Sequence, residues 1–554
     1  MKKLFAGPGL AIVFLFLLTA ISTPGFADTE MIKIVDTWLQ EQILKQVHEH
    51  KSWTWVIPIP SEDHFPTYTV TVNGKKVDVT KFQEISYVDI PYAAQWDIEI
   101  TANIPLESIR ISPRSYSLSG TLEPSSPQVW KFSLDKPRKL LLTINDDYRL
   151  FVFANGPETY PITKEGENVV LLSQYAADPT GQRDATSEIQ RAIDDTSKIR
   201  GTLYIPQGVY RIDQLRIKAD MTMYLERGAV LKLSDDIEKH LKIREENLKF
   251  GVQFISPILC YKVKNIRICG YGTIDGNGEQ LALRNDFTTR GFYRLVHAVD
   301  CQNIHLCDVI LKNPQRWNTH LANSENILME NVKIVNSINI CNTDAIDPDN
   351  CKNVEIRDVF AYSSDDSVVL KTSDRWHDGT RREEEFLSSE NIHVCDCVFW
   401  TRANALKIGT EKFRDIRNVT FENNDILHTY SILTIELKEG SKTSHVQFLN
   451  NRVDVLGDVS GGRVLHFAVR RYIYPSQKTE VVDRPSYGQL TDVLVKDLFV
   501  ENVPSQMSKI EGWDERSFVK MVVFENVWMG GQKIVRPEQL SLEIGKFASD
   551  VQFR

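Results

Sequence analysis

Along the middle of the chain an asparagine followed by alternating apolar positions recurs. It appears as Asn265-Ile-Arg-Ile, Asn303-Ile-His-Leu, Asn326-Ile-Leu-Met, Asn353-Val-Glu-Ile, Asn391-Ile-His-Val and Asn418-Val-Thr-Phe, and Ser444-His-Val-Gln-Phe continues it without the asparagine. Each unit reads as a short strand, because period-two alternation puts every second side chain on one face. The units begin 38, 23, 27, 38 and 27 residues apart. Self-similarity at a period of roughly 20–50 residues means a solenoid or an array. Steps in the twenties fit one coil each, and the longer ones fit a coil plus an inserted loop. The Ile and Val positions fill the interior, and the asparagine sits at a turn where it bonds neighbouring backbone. A leucine-rich repeat is the rival, but its Leu-rich consensus is absent.

Upstream the pattern changes. Met31 to Val47 carries apolar residues at helical spacing (Ile34, Trp38, Ile43, Val47). Brief alternating runs follow, at Tyr68 to Val72, Trp96 to Ile100, Ile109 to Ile111, Val129 to Phe132, Leu140 to Ile144 and Leu150 to Phe153. Asn73-Gly74 is a strong hairpin signal. Short strands at this density suggest a β-sandwich, either a sugar-binding module or a brace for the solenoid. The absence of a legible exposed aromatic cluster favours the brace. At the start, Lys2 and Lys3, the apolar run Leu10 to Ala20 and the small residues around Gly25-Phe26-Ala27 have the form of a secretory leader. That run is too short to span a bilayer comfortably. The expected organisation is a leader over 1–27, a sandwich-like domain over 28–165 and the solenoid over 166–554. The protein is expected to be secreted or periplasmic, off the membrane after cleavage, and a monomer.

With 42% hydrophobic residues the chain can bury large cores. Its formal net charge is −9, and losing Lys2 and Lys3 with the leader takes it to about −11. Nothing in this balance favours nucleic acid, which selects basic stripes. An acidic polysaccharide remains open as a partner through a local basic cleft. All eight cysteines fall between Cys260 and Cys397. Cys395-Asp396-Cys397 is the nearest approach to a zinc pair and lacks the spacing. Most are read as small buried residues, with one or two disulfides open. The residues call for no metal and no cofactor.

The candidate chemistry lies in NTDAIDPDNCKNVEIRDVFAYSSDDSVVLKT, residues 342–372. Asp344 precedes the pair Asp365-Asp366 by 21 residues, about one coil. Stacked strands lie roughly 4.8 Å apart, so three carboxylates would share one patch. Such a patch suits glycoside hydrolysis. One acid protonates the leaving oxygen, and another carboxylate activates water from about 6.5–9.5 Å away when the reaction inverts. Crowded like charges raise the pKa of one member and keep it protonated.

Asn342-Thr343-Asp344-Ala345-Ile346-Asp347 and Ser364-Asp365-Asp366 resemble the NTDGID and GDD signatures of the polygalacturonase family, glycoside hydrolase family 28, its bacterial members above all. The resemblance runs from about residue 170 to 450. It implies a right-handed parallel β-helix, so the fold class is all-β, a parallel β-helix preceded by a small β-sandwich. It also implies inverting hydrolysis of a polysaccharide, with Asp365 as the acid and with Asp344 and Asp366 activating water. Asp178 to Ile193 resembles the opening segment of pectin-lyase-like β-helices, where a short amphipathic helix caps the first coil. Gly201 to Tyr210 and Leu225 to Leu231 fit the first coils. Arg316-Trp317-Asn318-Thr319-His320 resembles the family's SPxWxxH stretch, which makes His320 a candidate cleft residue beside Asn342. The loop after the Asp pair offers Trp376 as a sugar-stacking platform.

Two motifs depart. Where the family shows Gly-His-Gly, this chain has Arg402-Ala403-Asn404-Ala405, so Ala403 or Asn404 replaces the His. Where the family shows Arg-Ile-Lys, whose cations grip the substrate carboxylate, it has Glu436-Leu437-Lys438. Alternation points Lys407, Glu436 and Lys438 outward, so Lys407 is a candidate to compensate. These departures keep three alternatives open: a dextranase- or isopullulanase-like enzyme for neutral α-glucans, which also joins a sandwich to a β-helix; a non-catalytic carbohydrate-binding β-helix; and a calcium-dependent lyase.

Overall fold

The computed structural model describes residues 62–284, 293–373, 383–438, 440–457, 461–470 and 487–554. The leader, the helical spacing at Met31 to Val47 and Trp376 lie outside the described residues. Pro58–Arg554 forms one compact unit.

Among the described residues three long sheets run through its larger part. Thirteen strands from Val169–Leu171 to Ala548–Phe553 form the first, thirteen from Thr180–Asp184 to Gln532–Ile534 the second, and eleven from Leu215–Ile217 to Leu542–Ile544 the third. Successive strands of each sheet pair in parallel, apart from the last pair of the second. The chain therefore winds as a parallel β-helix, one strand per sheet per coil. Every repeat unit supplies a first-sheet strand. Ile266, Ile304, Ile327, Val354, Ile392, Val419, Val446, Val493 and Val522 stack in one in-register column, all buried in one core. Burying each such side chain is worth roughly 1.5–3 kcal/mol. Both 38-residue steps prove to be single coils with insertions.

The asparagines do something other than bond backbone. Asn265, Asn303, Asn326, Asn353, Asn391 and Asn418 all have φ of 55–58°, a left-handed conformation that Asn tolerates better than most residues. Their amides form a ladder, each Nδ2 donating to the Oδ1 one coil below at 2.7–3.1 Å. The helix Thr186–Lys198 covers the open first coil with Ile189, Ala192, Ile193 and Thr196, one face at helical spacing. All eight cysteines are free thiols.

Ahead of the coils two five-stranded sheets face each other. The order in one is 75–77, 68–72, 96–102, 126–134, 121–123, and in the other 79–82, 85–90, 148–154, 138–144, 109–112. Val70, Trp96, Ile98, Trp130, Leu140 and Val152 fill the space between them. Phe82, Ile85, Tyr87, Phe151 and Phe153 of the second sheet leave that core and pack on Ile310, Val335, Phe360, Tyr362 and Trp400 of the β-helix. The sandwich is thus seated on the outer face of the second long sheet, beside the turns that lead into the third.

Candidate active site

Those turns carry the acids. Asp344 ends the turn into the third-sheet strand Ile346–Asp349, and Asp365 and Asp366 lie in the next turn up, before Val368–Thr372. Ile346 pairs with Val368, so the coil is 22 residues here and Asp366, not Asp365, stacks over Asp344. The backbone agrees: Asn318 N–H donates to Asp344 O at 2.8 Å, and Ala345 N–H to Asp366 O at 2.9 Å. One carboxylate oxygen from each of the three lies within 4.8 Å of the others. That is tighter than the separation expected of an inverting pair, and close enough to hold a cation.

The charges around them differ. Lys407 Nζ sits 2.7 Å from Asp366 Oδ2, and Asn404 Nδ2 donates to Asp366 Oδ1 at 2.6 Å. Lys371 Nζ sits 2.8 Å from Asp347 Oδ1 and 3.7 Å from Asp344 Oδ2, with the Trp317 ring centroid 3.4 Å away. Burial alone would lower both ammonium groups, but the surrounding carboxylates outweigh it and hold both protonated. Asp365 receives neutral donors among the described residues, the Asn342 amide at 3.2 Å and the Asp366 N–H at 2.9 Å. Its backbone carbonyl is pinned by the hydroxyls of Ser363 and Thr401. Burial, then the charges of Asp344 and Asp366, push the Asp365 carboxyl well above the usual carboxylate range. Burial also raises Asp344, with Lys371 pulling it back.

Comparison with known proteins fits this arrangement. Residues 196–508, over half of the chain, match the model for glycosyl hydrolases family 28. The chain belongs to glycosyl hydrolases family 28. It is 30% identical over 206 residues to a probable polygalacturonase of Vitis vinifera, covering 35% of this chain and 42% of that protein. It is 26% identical over 309 residues to an exo-poly-alpha-D-galacturonosidase of Dickeya chrysanthemi, covering 47% and 50%. The matches thus span half or less of these relatives. Among solved structures, a family 28 exopolygalacturonase of Yersinia enterocolitica superposes with a TM-score of 0.52 at 15% identity, covering 84% of this chain and 95% of that one. An exopolygalacturonase of Thermotoga maritima gives 0.52 at 19% identity, covering 72% and 93%. These two likenesses concern the fold.

Of the two residues that the resemblance sets against the family's His, Asn404 is the one hydrogen-bonded to the acids. Its amide faces Asp366, and Thr434 Oγ1 donates to its Oδ1 at 2.7 Å, which fixes the orientation. Glu436 lies 3.4 Å from Lys438 Nζ and 2.9 Å from His466 Nδ1. Burial works against its charge, but His466, Lys438 and Lys407 hold it well below the usual carboxylate range. Arg470 Nη2 approaches His466 Nε2 at 3.2 Å. A guanidinium only donates, so Nε2 accepts and Nδ1–H faces Glu436.

His320 does not reach the cleft surface. It is fully buried, stacked on His297 at 4.8 Å and 3.5 Å from Asp349 Oδ2. The motif resemblance located its strand, but the outward face there is covered. Lys371 and Asp347 escaped the sequence reading because they lie in strands buried on both faces, with no alternation to mark them.

Proposed function

We propose that this protein is an exported polygalacturonase-like hydrolase that cleaves glycosidic bonds in a polysaccharide with inversion. Asp365 protonates the leaving oxygen, and Asp344 and Asp366 together activate water. The observation that carries the assignment is the placement of cations. Asp366 is paired with Lys407 and Asp344 lies within reach of Lys371, whereas Asp365 meets neutral amides in a buried, acidic neighbourhood. Among the described residues Asp365 has no ion pair, and although the charge of Lys407 pulls it down, burial and the two neighbouring carboxylates outweigh it. The protonated member of such a group is the one least compensated, and an acid must carry its proton at working pH. Asn404 replaces the family's His by donating to a water-activating carboxylate, so it orients that group and has no titratable proton to transfer.

The test is Asp365→Asn, which removes the proton donor at nearly constant volume. Turnover should fall about 10²–10⁴-fold with the circular dichroism spectrum unchanged; near wild-type turnover would end the assignment. Proton NMR of the first product should show the inverted anomer. The close carboxylate spacing favours a retaining double displacement as the second reading, and early appearance of the retained anomer would establish it.

A further inference from the structure

The sandwich does more than brace the coils. Its strands Val79–Phe82 and Ile85–Ile90 are joined by a two-residue turn, Gln83-Glu84, with Phe82 opposite Ile85. Gln83 is buried at 2% exposure with φ of 53°. Glycine is the favoured residue at the first centre of such a turn, and a larger residue there costs roughly 1–2 kcal/mol. A side chain kept at a strained position points to a role for that side chain.

The role is visible in what it touches. Gln83 Oε1 accepts from Ser337 Oγ at 2.8 Å and from Asn339 Nδ2 at 3.1 Å. Glu84 Oε2 accepts from Asn339 Nδ2 at 3.0 Å, and its Oε1 accepts from Tyr362 Oη at 2.8 Å. Ser337 and Asn339 lie in the turn 336–345, which carries Asn342 and Asp344. From there the bonding continues inward. Thr343 Oγ1 donates to Ser337 O at 3.1 Å and lies 2.8 Å from Ser364 Oγ, beside Asp365. Asn336 Nδ2 donates to Thr343 O at 2.7 Å. Ile338 of the same turn packs with Phe82 and Ile85.

We infer that Gln83 and Glu84 are positioning residues for hydrolysis: the sandwich hairpin sets the turn that places Asn342 and Asp344 against Asp365. The inference rests on the catalytic reading of Asp344. A misplacement of about 1 Å at a reacting group costs on the order of 10²-fold.

The experiment uses the full chain. Gln83→Gly/Glu84→Ala removes the contacts; relief of the backbone offsets only part of the cost of leaving the buried Ser337, Asn339 and Tyr362 donors unpaired, so the protein should fold with a lowered melting temperature. Its kcat should fall about 10- to 100-fold, with KM little changed and the rising limb of the pH–rate profile displaced. Lys139→Ala is the control. It breaks an ion pair to Asp358 at the other end of the same contact, so it should lower stability and leave kcat and the profile alone. Wild-type kcat and pH profile in the double variant would overturn the inference, as would an equal fall in kcat for Lys139→Ala. Asp344→Asn separates the two readings. If it stays active, the catalytic reading fails; if it is inactive while the double variant is fully active, only the positioning role fails.

Discussion

Lys371→Met tests the ionisation of Asp344, the group proposed to help activate water. The ammonium lies 3.7 Å from Asp344 Oδ2 and 2.8 Å from Asp347 Oδ1, and all three side chains are at most 5% exposed. Unit charges at 3.7 Å attract by about 4 kcal/mol at an effective dielectric of 20. An opposite charge at that range lowers a carboxylate by about 1–3 pKa units. Burial already raises Asp344, and Lys371 is the largest influence bringing it down. Losing the lysine therefore moves Asp344 further up, and a carboxylate that must be ionised to work is then protonated over a wider range. The rising limb of kcat/KM against pH should shift up by about 1–3 units. The falling limb, which the proposal assigns to Asp365, should stay, so the bell narrows and its peak drops. The single variant strands the buried Asp347 carboxylate at a cost of about 3–5 kcal/mol, so the assay is run in parallel on Lys371→Met/Asp347→Asn, which removes that charge. An unmoved rising limb in the folded double variant would refute the reasoning.

The motif resemblance sets Glu436 against an Arg that the family uses for the galacturonate carboxylate, and Glu436 is held as an anion by His466, Lys438 and Lys407; on that alignment cleavage of plain polygalacturonan should be weak and should rise in Glu436→Arg. Strong wild-type cleavage that falls in Glu436→Arg, measured by reducing-end release, would contradict this. Lys412 is wholly buried with its ammonium donating to Thr443, and burial pulls it from the usual 10.5 down to about 7, with Asp415 resisting. The unfolded chain binds more protons between those values, so stability should climb as pH rises from about 7 to 10, and Lys412→Met should flatten that slope in thermal melts; an unchanged slope would count against it. Asn353→Ala loses two ladder bonds worth about 0.5–1.5 kcal/mol each and adds a left-handed backbone cost of about 1–2 kcal/mol. Asn353→Gly loses only the bonds, so urea melts should rank Ala below Gly, and the reverse order would show that the φ of 55° is not what selects the residue.

Much of the fold was legible because one interior column dictates it. A solenoid strand buries one face, so Ile, Val and Phe return every second residue and each unit announces itself. The sandwich strands Tyr68–Val72 and Trp96–Ala102 were readable for the same reason, with burial alternating along them. Strand Ile85–Ile90 was not, because five of its six residues are buried. One face packs on its partner sheet and the other on the β-helix, and a doubly covered strand loses its alternation. The turn before it has neither Gly nor Asn to mark it. The segment that joins the sandwich to the active-site turn was therefore the one the sequence concealed.

The acids were legible for a different reason. Asp344, Asp365 and Asp366 lie a coil apart on one short stretch, and spacing alone brings them together. Spacing does not divide their labour. A shift of one residue, a 22-residue coil instead of 21, puts Asp366 over Asp344 and leaves Asp365 to the side. The cations complete the division. Lys371 comes from the strand that follows the Asp pair and Lys407 from the coil above, and each meets an acid from another turn. Among the described residues they ion-pair two of the three carboxylates and leave Asp365 hydrogen-bonded by amides. On the proposed reading, which acid keeps its proton is thus a property of register between coils, and a one-residue change in either turn would reassign the roles without altering any residue in the motif.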